Sequence, residues 1–477
     1  MEPGGRVVRY DACVIGAGAE GLAAAAVAAA QGLKVIIAER ETRAGGRTAL
    51  REFHPGFRAP PYADELPAIP PGIFRALDLG SRGACLMPAS ASLAVWPNRH
   101  SLILPWTETA SPFAALRESV VTRALAEAEA VPARWFRPLA PVWPGEELAS
   151  LSLLDALAEM PERDHRLADV LAGALCDPAA PGSALNLLKG APGGVARGLG
   201  EALRQAAEAV GAEISLSLEV ADVKHKGARV TGVGLADGSE IEARAVLSTL
   251  DFKRTFLSLF AWNALPRAVV ERVGAWRPQP GVARLLLALE APPQWPAEID
   301  PIALRGPIHV APGGFEDAYR AWRRGAVPER PPAILRLLSA IDPTLAPDGA
   351  AVMSVTLGAI PHTPFDGNWT HDKRERLRQT AMAAAQSVFV GLAARVKGFL
   401  LLVPPDIEAA LGATGGDLSG GELAPDQMLG LRPGPRTPFQ GLYLAGPSSA
   451  TGPIATCASG VAAARALIAD FKAGRLK

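Results

Sequence analysis

The first forty residues carry two kinds of hydrophobic pattern. A short apolar run over 10–15 is typical of a buried strand, and a run of small residues from Leu22 to Ala30 is typical of a closely packed helix. Gly32 ends that helix, and a second apolar run over 34–39 follows it. The pattern predicts a strand, a helix and a second strand in immediate succession.

Three glycines lie between the first strand and the helix. Gly16, Gly18 and Gly21 form G-x-G-x-x-G, in which the first glycine makes a tight turn and the second lets the backbone approach a pyrophosphate. The third allows the helix to pack closely, with its N-terminus facing the phosphates. Glu39, 18 residues beyond Gly21, is near the offset at which an acid binds a ribose hydroxyl. Together these features predict a dinucleotide site.

A second glycine-rich stretch follows Glu39 directly. Gly45 and Gly46 let the backbone pass close to a bulky group, and Arg47 is placed to pair with a phosphate. Arg40, in the same stretch, is counted with them as a predicted cofactor ligand. Proline-rich sequence then replaces the strand–helix units expected of a nicotinamide dehydrogenase, which indicates an insertion.

Organised sequence resumes at 190–250. Helical spacing places four apolar residues on one face: Val195, Leu199, Leu203 and Val210. Strict alternation from Ile214 to Val220 predicts a strand, and turns at Lys226-Gly227 and Asp237-Gly238 lead into two more strands of a meander. Glycines 232, 234 and 238 imitate a nucleotide loop, but they open no helix and are rejected as one.

The segment 441–471 offers a second helix N-terminus. It begins with a strand at Leu442–Leu444, continues through Gly446 and a loop, and predicts a helix that starts near Gly452-Pro453. The helix N-terminus near Ile454, with the backbone amides of Ala455 and Thr456, could stabilise negative charge on a cofactor. The other interpretation is a terminal helix that only packs against the sheet. One dinucleotide site built from distant segments favours a resident cofactor over an exchanging coenzyme.

Length and composition narrow the class of protein. At 477 residues with 49% hydrophobic content, the chain predicts two domains. Lys plus Arg equals Asp plus Glu at 48 each, so bulk charge gives no reason to expect nucleic acid binding. The four cysteines are far apart and the histidines are scattered, which predicts no metal site and no disulfide framework.

The N-terminal sequence and the lengths of the apolar runs predict a cytoplasmic protein. The glycine loop begins too early for a secretory signal to precede it, and no uninterrupted apolar run reaches about 18 residues. Residues 111–140 mix apolar side chains with arginines, which leaves peripheral contact with a membrane as an alternative. No pair of carboxylates or histidine stands out as a catalytic acid or base, so the catalytic residues are unknown at this stage.

These motifs resemble the phytoene-desaturase-like FAD-dependent oxidoreductases, which include pyridine nucleotide–disulfide oxidoreductase-domain relatives and belong with the flavin amine oxidase-like proteins. The resemblance rests on "VIGAGAEGLAAA", "RAGGRT" and "EFHPGFR", on "DPAAPGSALNLL" and "APGGVARGLGEALRQAAEAVGAEI", and on "GATGGDLSGGELAPDQMLGLRPGPRTPFQGLYLAG". It implies non-covalent FAD and hydride transfer from a hydrophobic substrate. It also implies that the glycines of both loops, Glu39 and Arg47 bind FAD, with Val220 at the adenine and Gly446 near the isoalloxazine.

The expected fold class is therefore α/β. It comprises a Rossmann-like FAD-binding domain with a three-stranded β-meander, plus a second, mixed α+β substrate or cap domain. The FAD-binding domain is expected at 1–75, 186–254 and 396–477, and the cap domain at 76–185 and 255–395. Tryptophans and irregular apolar segments in the cap regions predict an apolar substrate and an oxygen or quinone-like acceptor.

Two departures from the family pattern keep alternatives open. Relatives carry a histidine where this chain has Gly420, and a glycine-rich loop where it has "SSATGPIATCASG". The leading hypothesis is hydride removal from an isoprenoid- or lipid-like substrate. The alternatives are an FAD-dependent isomerase without net redox change, and a flavin-binding scaffold or assembly partner that has lost catalysis. A protein partner or a homo-oligomer is compatible with each of them.

Overall fold

The structure is a computed structural model. It describes residues 9–64, 66–86, 91–96, 101–105, 112–130, 148, 150–158, 177–189, 196–295, 301–310, 315–427 and 431–476. The strands are β1 Tyr10–Ile15, β2 Val35–Ala38, β3 Arg51–His54, β4 Phe57–Ala59, β5 Cys85–Leu86, β6 Ala91–Val95, β7 Ser101–Pro105, β8 Ala196–Arg197, β9 Glu213–Ser215, β10 Val220–Lys226, β11 Arg229–Leu235, β12 Glu240–Ser248, β13 Gly281–Leu289, β14 Ile308–Val310, β15 Ala333–Leu337, β16 Ala351–Ile360, β17 Val396–Leu402 and β18 Leu442–Leu444. The helices are α1 Ala19–Ala29, α2 Pro71–Ala76, α3 Pro112–Glu129, α4 Leu153–Ala158, α5 Leu199–Ala209, α6 Arg267–Ala275, α7 Phe315–Arg323, α8 His371–Val388, α9 Pro404–Leu411 and α10 Ala458–Lys472.

The first sheet joins distant parts of the chain. Strands β18, β12, β1, β2 and β9 lie side by side and are all parallel. Because parallel strands are covered on both faces, β1 and β2 are almost wholly buried and read as continuous apolar runs. The predicted strand–helix–strand unit is confirmed, and so is its Rossmann-like setting.

The meander branches from this sheet through β12. Strands β10, β11 and the first part of β12 are antiparallel, and the rest of β12 pairs with β1 and β18. Both predicted turns are present, with Gly227 and Gly238 at φ +58° and +85°. Gly232 and Gly234 lie within β11, which confirms that they form no nucleotide loop.

The predicted strand over Ile214–Val220 is interrupted. β9 ends at Ser215, and Ser217 has φ +57°, where the chain leaves the parallel sheet for the meander. The amides of Ser217 and Leu218 bond to the carbonyl oxygens of Glu41 and Glu39, which fixes the turn against the end of β2. The apolar–polar alternation of the sequence continues past the end of β9. Leu218, which belongs to that alternation, lines a cavity and lies in no strand.

One apolar core lies between α1, α5, α10 and the parallel sheet. α1 and α10 consist mainly of alanine and other small residues, so their backbones approach closely. Leu199 and Leu203 of α5 are buried in this core, whereas Val210 is 39% exposed because the helix ends before it. Val195 lies outside the described residues. Helix α3 also packs on α10. Part of the 111–140 segment, for which contact with a membrane was the alternative expectation, therefore belongs to this core.

The second sheet is mixed. In the part of the chain that the structure describes, its order is β17–β13–β16–β15–β14–β6–β7. Helix α8 packs on one face of this sheet, and apolar residues of the helix and of the strands form the core between them. β17, which the predicted boundaries assign to the third FAD-binding segment, pairs with β13 of this sheet in antiparallel register from Arg284–Leu402 to Leu289–Val396.

The other face of the second sheet carries a buried ion pair. Arg284 on β13 donates to Asp64 and, at 2.5 Å, to the hydroxyl of Thr356, while Ser354 donates to Asp64 at 2.6 Å. Burial alone would raise the pKa of Asp64, but Arg284 and the other donors hold it below its usual value. The pair anchors the segment after β4 to the second sheet.

Candidate functional site

A cavity of about 410 Å³ opens at the carboxyl ends of β1, β2 and β12. This is the edge at which open parallel sheets bind ligands. Four stretches of chain form most of its wall: the β1–α1 turn, the β2–β3 turn, the region from Leu218 to Trp276, and the region from Ala410 to Thr456. The predicted ligands that line it are Gly16, Gly18, Glu39, Arg40, Gly45, Gly46, Arg47, Val220 and Thr456.

The glycine loop is tightly built. Gly16 has φ +97°, and a Cβ there would overlap the Thr249 hydroxyl. A Cβ on Gly21 would overlap the carbonyl oxygen of Gly16, so Gly21 packs α1 onto the loop and does not itself line the cavity. Gly18 differs, because a Cβ there would meet no protein atom within 4 Å. Its missing side chain leaves room for a ligand.

Glu39 stands at the end of β2 and fixes the loop from the other side. Its Oε2 accepts a hydrogen bond from the amide of Ala17 at 2.6 Å, and its Oε1 accepts one from Glu41 at 2.9 Å. The side chain is buried and lines the cavity. Each carboxylate oxygen keeps a second lone pair, so Glu39 can still accept a ribose hydroxyl as the sequence predicts.

Arg47 is a partly buried cation of the site. Its guanidinium donates to the carbonyl oxygen of Leu418, which links the β2–β3 turn to the Ala410–Thr456 stretch. Burial lowers the pKa of Arg47, and the nearby carboxylates Glu20 and Asp417 oppose that change. Arginine remains charged under all ordinary conditions, so Arg47 is suited to an anionic phosphate. Arg40 also lines the cavity and donates to Ala409.

The predicted cofactor contacts in the last loop are only partly at the wall. Gly446 packs against the carbonyl oxygens of Thr249 and Leu250, and Ile454 and Ala455 are core residues; among the described residues that line the cavity, none of these three occurs. Helix α10 begins at Ala458, not near Gly452, because the chain from Gly446 to Cys457 is folded into successive turns.

The backbone amides proposed to stabilise the flavin are already bonded. The amide of Ala455 donates to Thr451 at 2.9 Å, and that of Thr456 donates to Ala68 at 3.2 Å. A donor in a buried backbone hydrogen bond is not free for a ligand. The expectation that these two amides face the cofactor is therefore wrong in its geometry, although Thr456 itself lines the cavity.

Sequence reasoning also missed Glu20. This residue lies inside the glycine motif, and its carboxylate accepts the amides of Cys457 and Gly460 at 2.8 Å each. Burial raises the pKa of Glu20 to about 7, against the lowering effect of these amides and of Arg47. Glu20 thus occupies the N-terminus of α10. A charged residue within G-x-G-x-x-G was the available signal.

Further wall residues follow the carboxyl end of β12. Thr249, Asp251 and Arg254 line the cavity, as does Trp276. The oxygens of Asp251 accept the amides of Arg254 at 2.8 Å and Thr414 at 2.6 Å. Their position after a parallel strand was a usable signal, because ligands bind at such ends.

The loop over 417–422 replaces the histidine of the resemblance with backbone. Gly420 has φ +78°, and a Cβ there would overlap the carbonyl oxygen of Pro447, so no larger residue fits. Asp417 accepts the amides of Ser419 and Gly421 at 2.6 Å each. The buried guanidinium of Arg432 donates to the carbonyl oxygens of Gly420 and Gly421. Burial lowers the pKa of Arg432 to about 10.

The residues fit FAD. The glycine loop at the start of α1 supplies a phosphate cradle, and Arg47 supplies a partly buried positive charge at the same cavity. Glu39 is placed where it could accept a ribose hydroxyl, and Val220 and Leu218 offer an apolar surface that adenine could contact. Among the described residues no helix is long and apolar enough to cross a membrane.

A Rossmann-like domain of this kind, joined to a second mixed sheet, defines the class of two-domain FAD-dependent oxidoreductases. The family model for the flavin-containing amine oxidoreductases matches residues 146–468, and that for NAD(P)-binding Rossmann-like domains matches residues 14–64. The chain belongs to the flavin-containing amine oxidoreductase family. FAD is its cofactor, and it is an FAD-dependent oxidoreductase.

Individual proteins are similar to this chain over nearly its whole length. A rat (Rattus norvegicus) pyridine nucleotide-disulfide oxidoreductase domain-containing protein 2 is 28% identical over 97% of this chain and 94% of its own. An oxidoreductase from Methanosarcina mazei shares the fold with a TM-score of 0.58 at 18% identity, over 95% of this chain and 99% of that one. Cyclohexylamine oxidase from Brevibacterium oxydans has a TM-score of 0.56 at 18% identity, over 98% and 100% of the two chains.

Proposed function

We propose that the protein removes a hydride from an apolar organic substrate and passes the electrons to oxygen or a quinone-like acceptor. The observation that carries this proposal is the apolar character of the wall around Gly420. Leu418 lies two residues before it, Pro447 touches it, and the Trp276 ring packs on the adjacent Gly421. Apolar walls of this kind suit the hydrocarbon part of a ligand.

The carboxylates near this wall support the same proposal. Both oxygens of Glu20, Asp251 and Asp417 already accept backbone amides. Those bonds hold the three carboxylates against the loops whose amides they accept. FAD, when bound, supplies the hydride acceptor. The chain's contribution is then to bind and orient the substrate. Loss of a hydride would leave a carbocation, and release of the adjacent proton to water would complete a double bond, so no strong base is needed.

An amine substrate is the second candidate. The family description and the name of the cyclohexylamine oxidase both favour it. An amine must reach the reaction in its neutral form, so amine oxidation should accelerate as pH rises toward the amine pKa. Oxidation of an apolar C–H bond carries no such dependence from the substrate.

The test is anaerobic bleaching of the flavin absorbance. We expect bleaching by isoprenoid or lipid-like compounds and none by cyclohexylamine or putrescine. The matched variants are Leu418→Gln, at the wall near Gly420, and Leu411→Gln, at the wall near Gly412. Leu418→Gln should slow bleaching while the flavin content stays unchanged. Leu411→Gln should bleach at the native rate.

Rapid bleaching by amines would replace the proposal with amine oxidation. A flavin that stays oxidised with every compound would support the scaffold alternative. NADH and NADPH should reduce the flavin more slowly than about 1 s⁻¹, the low end of ordinary turnover. Saturable reduction above that rate would contradict the proposed acceptor chemistry.

A further inference from the structure

Glu20 joins two parts of the cofactor site that are far apart in sequence. Its two oxygens accept the amides of Cys457 and Gly460, which lie 437 and 440 residues away. Cys457, the residue before α10, has φ +67° and provides no side-chain cap of its own. Glu20 therefore caps α10 from the glycine loop, and satisfies two of the amides that a helix N-terminus leaves unpaired.

The charged surroundings of Glu20 come from three elements. Arg47 of the β2–β3 turn faces it, and Asp417 stands near Arg47. Immediately before α10 lies the Cys457 thiol, whose pKa is raised well above its ordinary value by burial and by Glu20, so it stays neutral. Glu39, at the end of β2, accepts a hydrogen bond from the amide of Ala17 in the glycine loop. Arg47 is thus the cation that interacts with both Glu20 and Asp417.

FAD adds negative charge at this place. The pyrophosphate carries two negative charges and binds at the glycine loop, of which Glu20 is a member. Glu20 lines the same cavity and is only partly exposed, so solvent screens the repulsion less than it would at an open surface. Like charges in one buried site favour protonation of one of them. The pyrophosphate holds its charge near neutral pH, whereas a carboxylate can gain a proton.

We propose that Glu20 is a positioning residue that ties the glycine loop to α10, and that it takes up a proton from water when the FAD pyrophosphate binds. A protonated carboxyl keeps acceptor lone pairs for the helix amides, so the tie survives. The inference rests on the cofactor site alone and holds for any substrate.

The sign of the pH dependence follows from linkage. Binding that favours the protonated form raises the pKa of Glu20 in the complex above its value of about 7 in the protein without FAD. FAD affinity is then greatest below pH 7 and falls as pH rises. The dissociation constant should rise by up to about tenfold per pH unit, the limit for one linked proton.

The experiment measures FAD release from the holoprotein by equilibrium dialysis at pH 6.5, 7.5 and 8.5, with free FAD read by fluorescence. The slope of log Kd against pH counts the protons taken up. For the native chain we expect a slope of roughly 0.5 to 1 between the upper two values. Glu20→Gln should give a slope near zero, because its amide cannot take up the proton. The matched control is Glu213→Gln, a carboxylate that accepts the Tyr10 hydroxyl in the same domain and does not line the cavity. It should keep the native slope.

If log Kd of the native chain did not change with pH, the proposal would be overturned. This test needs no variant, so it remains valid even if Glu20→Gln fails to fold. An unchanged slope in Glu20→Gln would also overturn it and assign the proton to another group, such as Asp417. If no FAD were bound at any pH, the cofactor site itself would be wrong. Failure to oxidise an apolar substrate leaves this measurement unaffected.

Discussion

Two helices begin beside the same cavity, and their N-terminal amides have opposite roles. α1 follows Gly18, has no side-chain cap and presents the glycine loop to the cavity. α10 follows Cys457, and two of its amides are bonded to Glu20. Both helices are rich in small residues, and both follow glycine-containing turns. Their sequences therefore invited the same interpretation, yet only one end is open to a ligand.

The difference shows that a helix N-terminus alone does not reveal which negatively charged group binds there. The helix dipole favours a negative ligand and a carboxylate of the protein alike. At α10 the protein supplies the charge from a neighbouring loop. A helix end is open to a cofactor only where no carboxylate of the chain reaches it, and that condition depends on tertiary structure.

The largest effect is expected from Gly21→Ala at the open end. A Cβ there would overlap the carbonyl oxygen of Gly16 and lie 3.1 Å from Thr249, so α1 could not keep its position against the loop. We expect FAD affinity to fall at least about 100-fold, or roughly 2.8 kcal/mol. The flavin-to-protein absorbance ratio after gel filtration measures this. Gly72→Ala, whose Cβ would meet nothing within 4 Å, is the control. Native flavin content in Gly21→Ala would show that the loop tolerates a wider spacing.

Glu39→Ala should have the next largest effect. A ribose hydroxyl that loses a charged acceptor costs about 1.5–3 kcal/mol, which corresponds to roughly a 10- to 150-fold loss of FAD affinity. Glu39→Gln keeps an acceptor oxygen and should lose less. Fluorescence titration with FAD compares the variants. Equal affinity in all three proteins would remove Glu39 from the ribose site.

Gly460→Ala tests the closed end. A Cβ there would overlap the carbonyl oxygen of Glu20, so α10 must move away from α1. Overpacking of this kind lowers the free energy of unfolding by about 1–3 kcal/mol. We expect thermal unfolding at lower temperature but a smaller loss of FAD affinity than in Gly21→Ala. Gly274→Ala, with open space around it, serves as the reference. The reverse ranking of FAD affinities would contradict the distinction between the two ends.

Cys457→Ala should have the smallest effect. The thiol is fully buried, and burial keeps it protonated, so it acts as a small apolar group. Flavin content should be unchanged, and the free energy of unfolding should change by less than about 1 kcal/mol. Release of flavin from the denatured native protein without a covalent link is the companion measurement. Loss of flavin in this variant would give Cys457 a role that the structure does not support.

The local parts of the fold were predictable because each depends on neighbouring residues. The β1–α1–β2 unit, the turns at Gly227 and Gly238 and the strand β18 all follow from spacing and turn chemistry. The spacing of Glu39 from the glycine loop also placed it correctly at the cavity wall. In each case the signal and the structure lie within the same short stretch of chain.

The remaining features depend on contacts across the chain. The start of α10 moved to Ala458 because the preceding residues pack as turns against the core. Gly446 became a packing glycine because the end of β12 lies against it. Trp276 reached the cavity from a region expected to belong to the other domain. None of these positions is encoded by local periodicity, since a distant segment decides each.

The bond between Glu20 and the amide of Cys457 also sets an order of events during synthesis. The glycine loop leaves the ribosome early, but its partner on α10 is 437 residues behind it. Until those residues emerge, the alanine-rich face of α1 and the Glu20 carboxylate lack their native cover. FAD capture by the finished site is therefore a late step, and ribosome-bound chains that stop before α10 should need chaperones and hold no flavin.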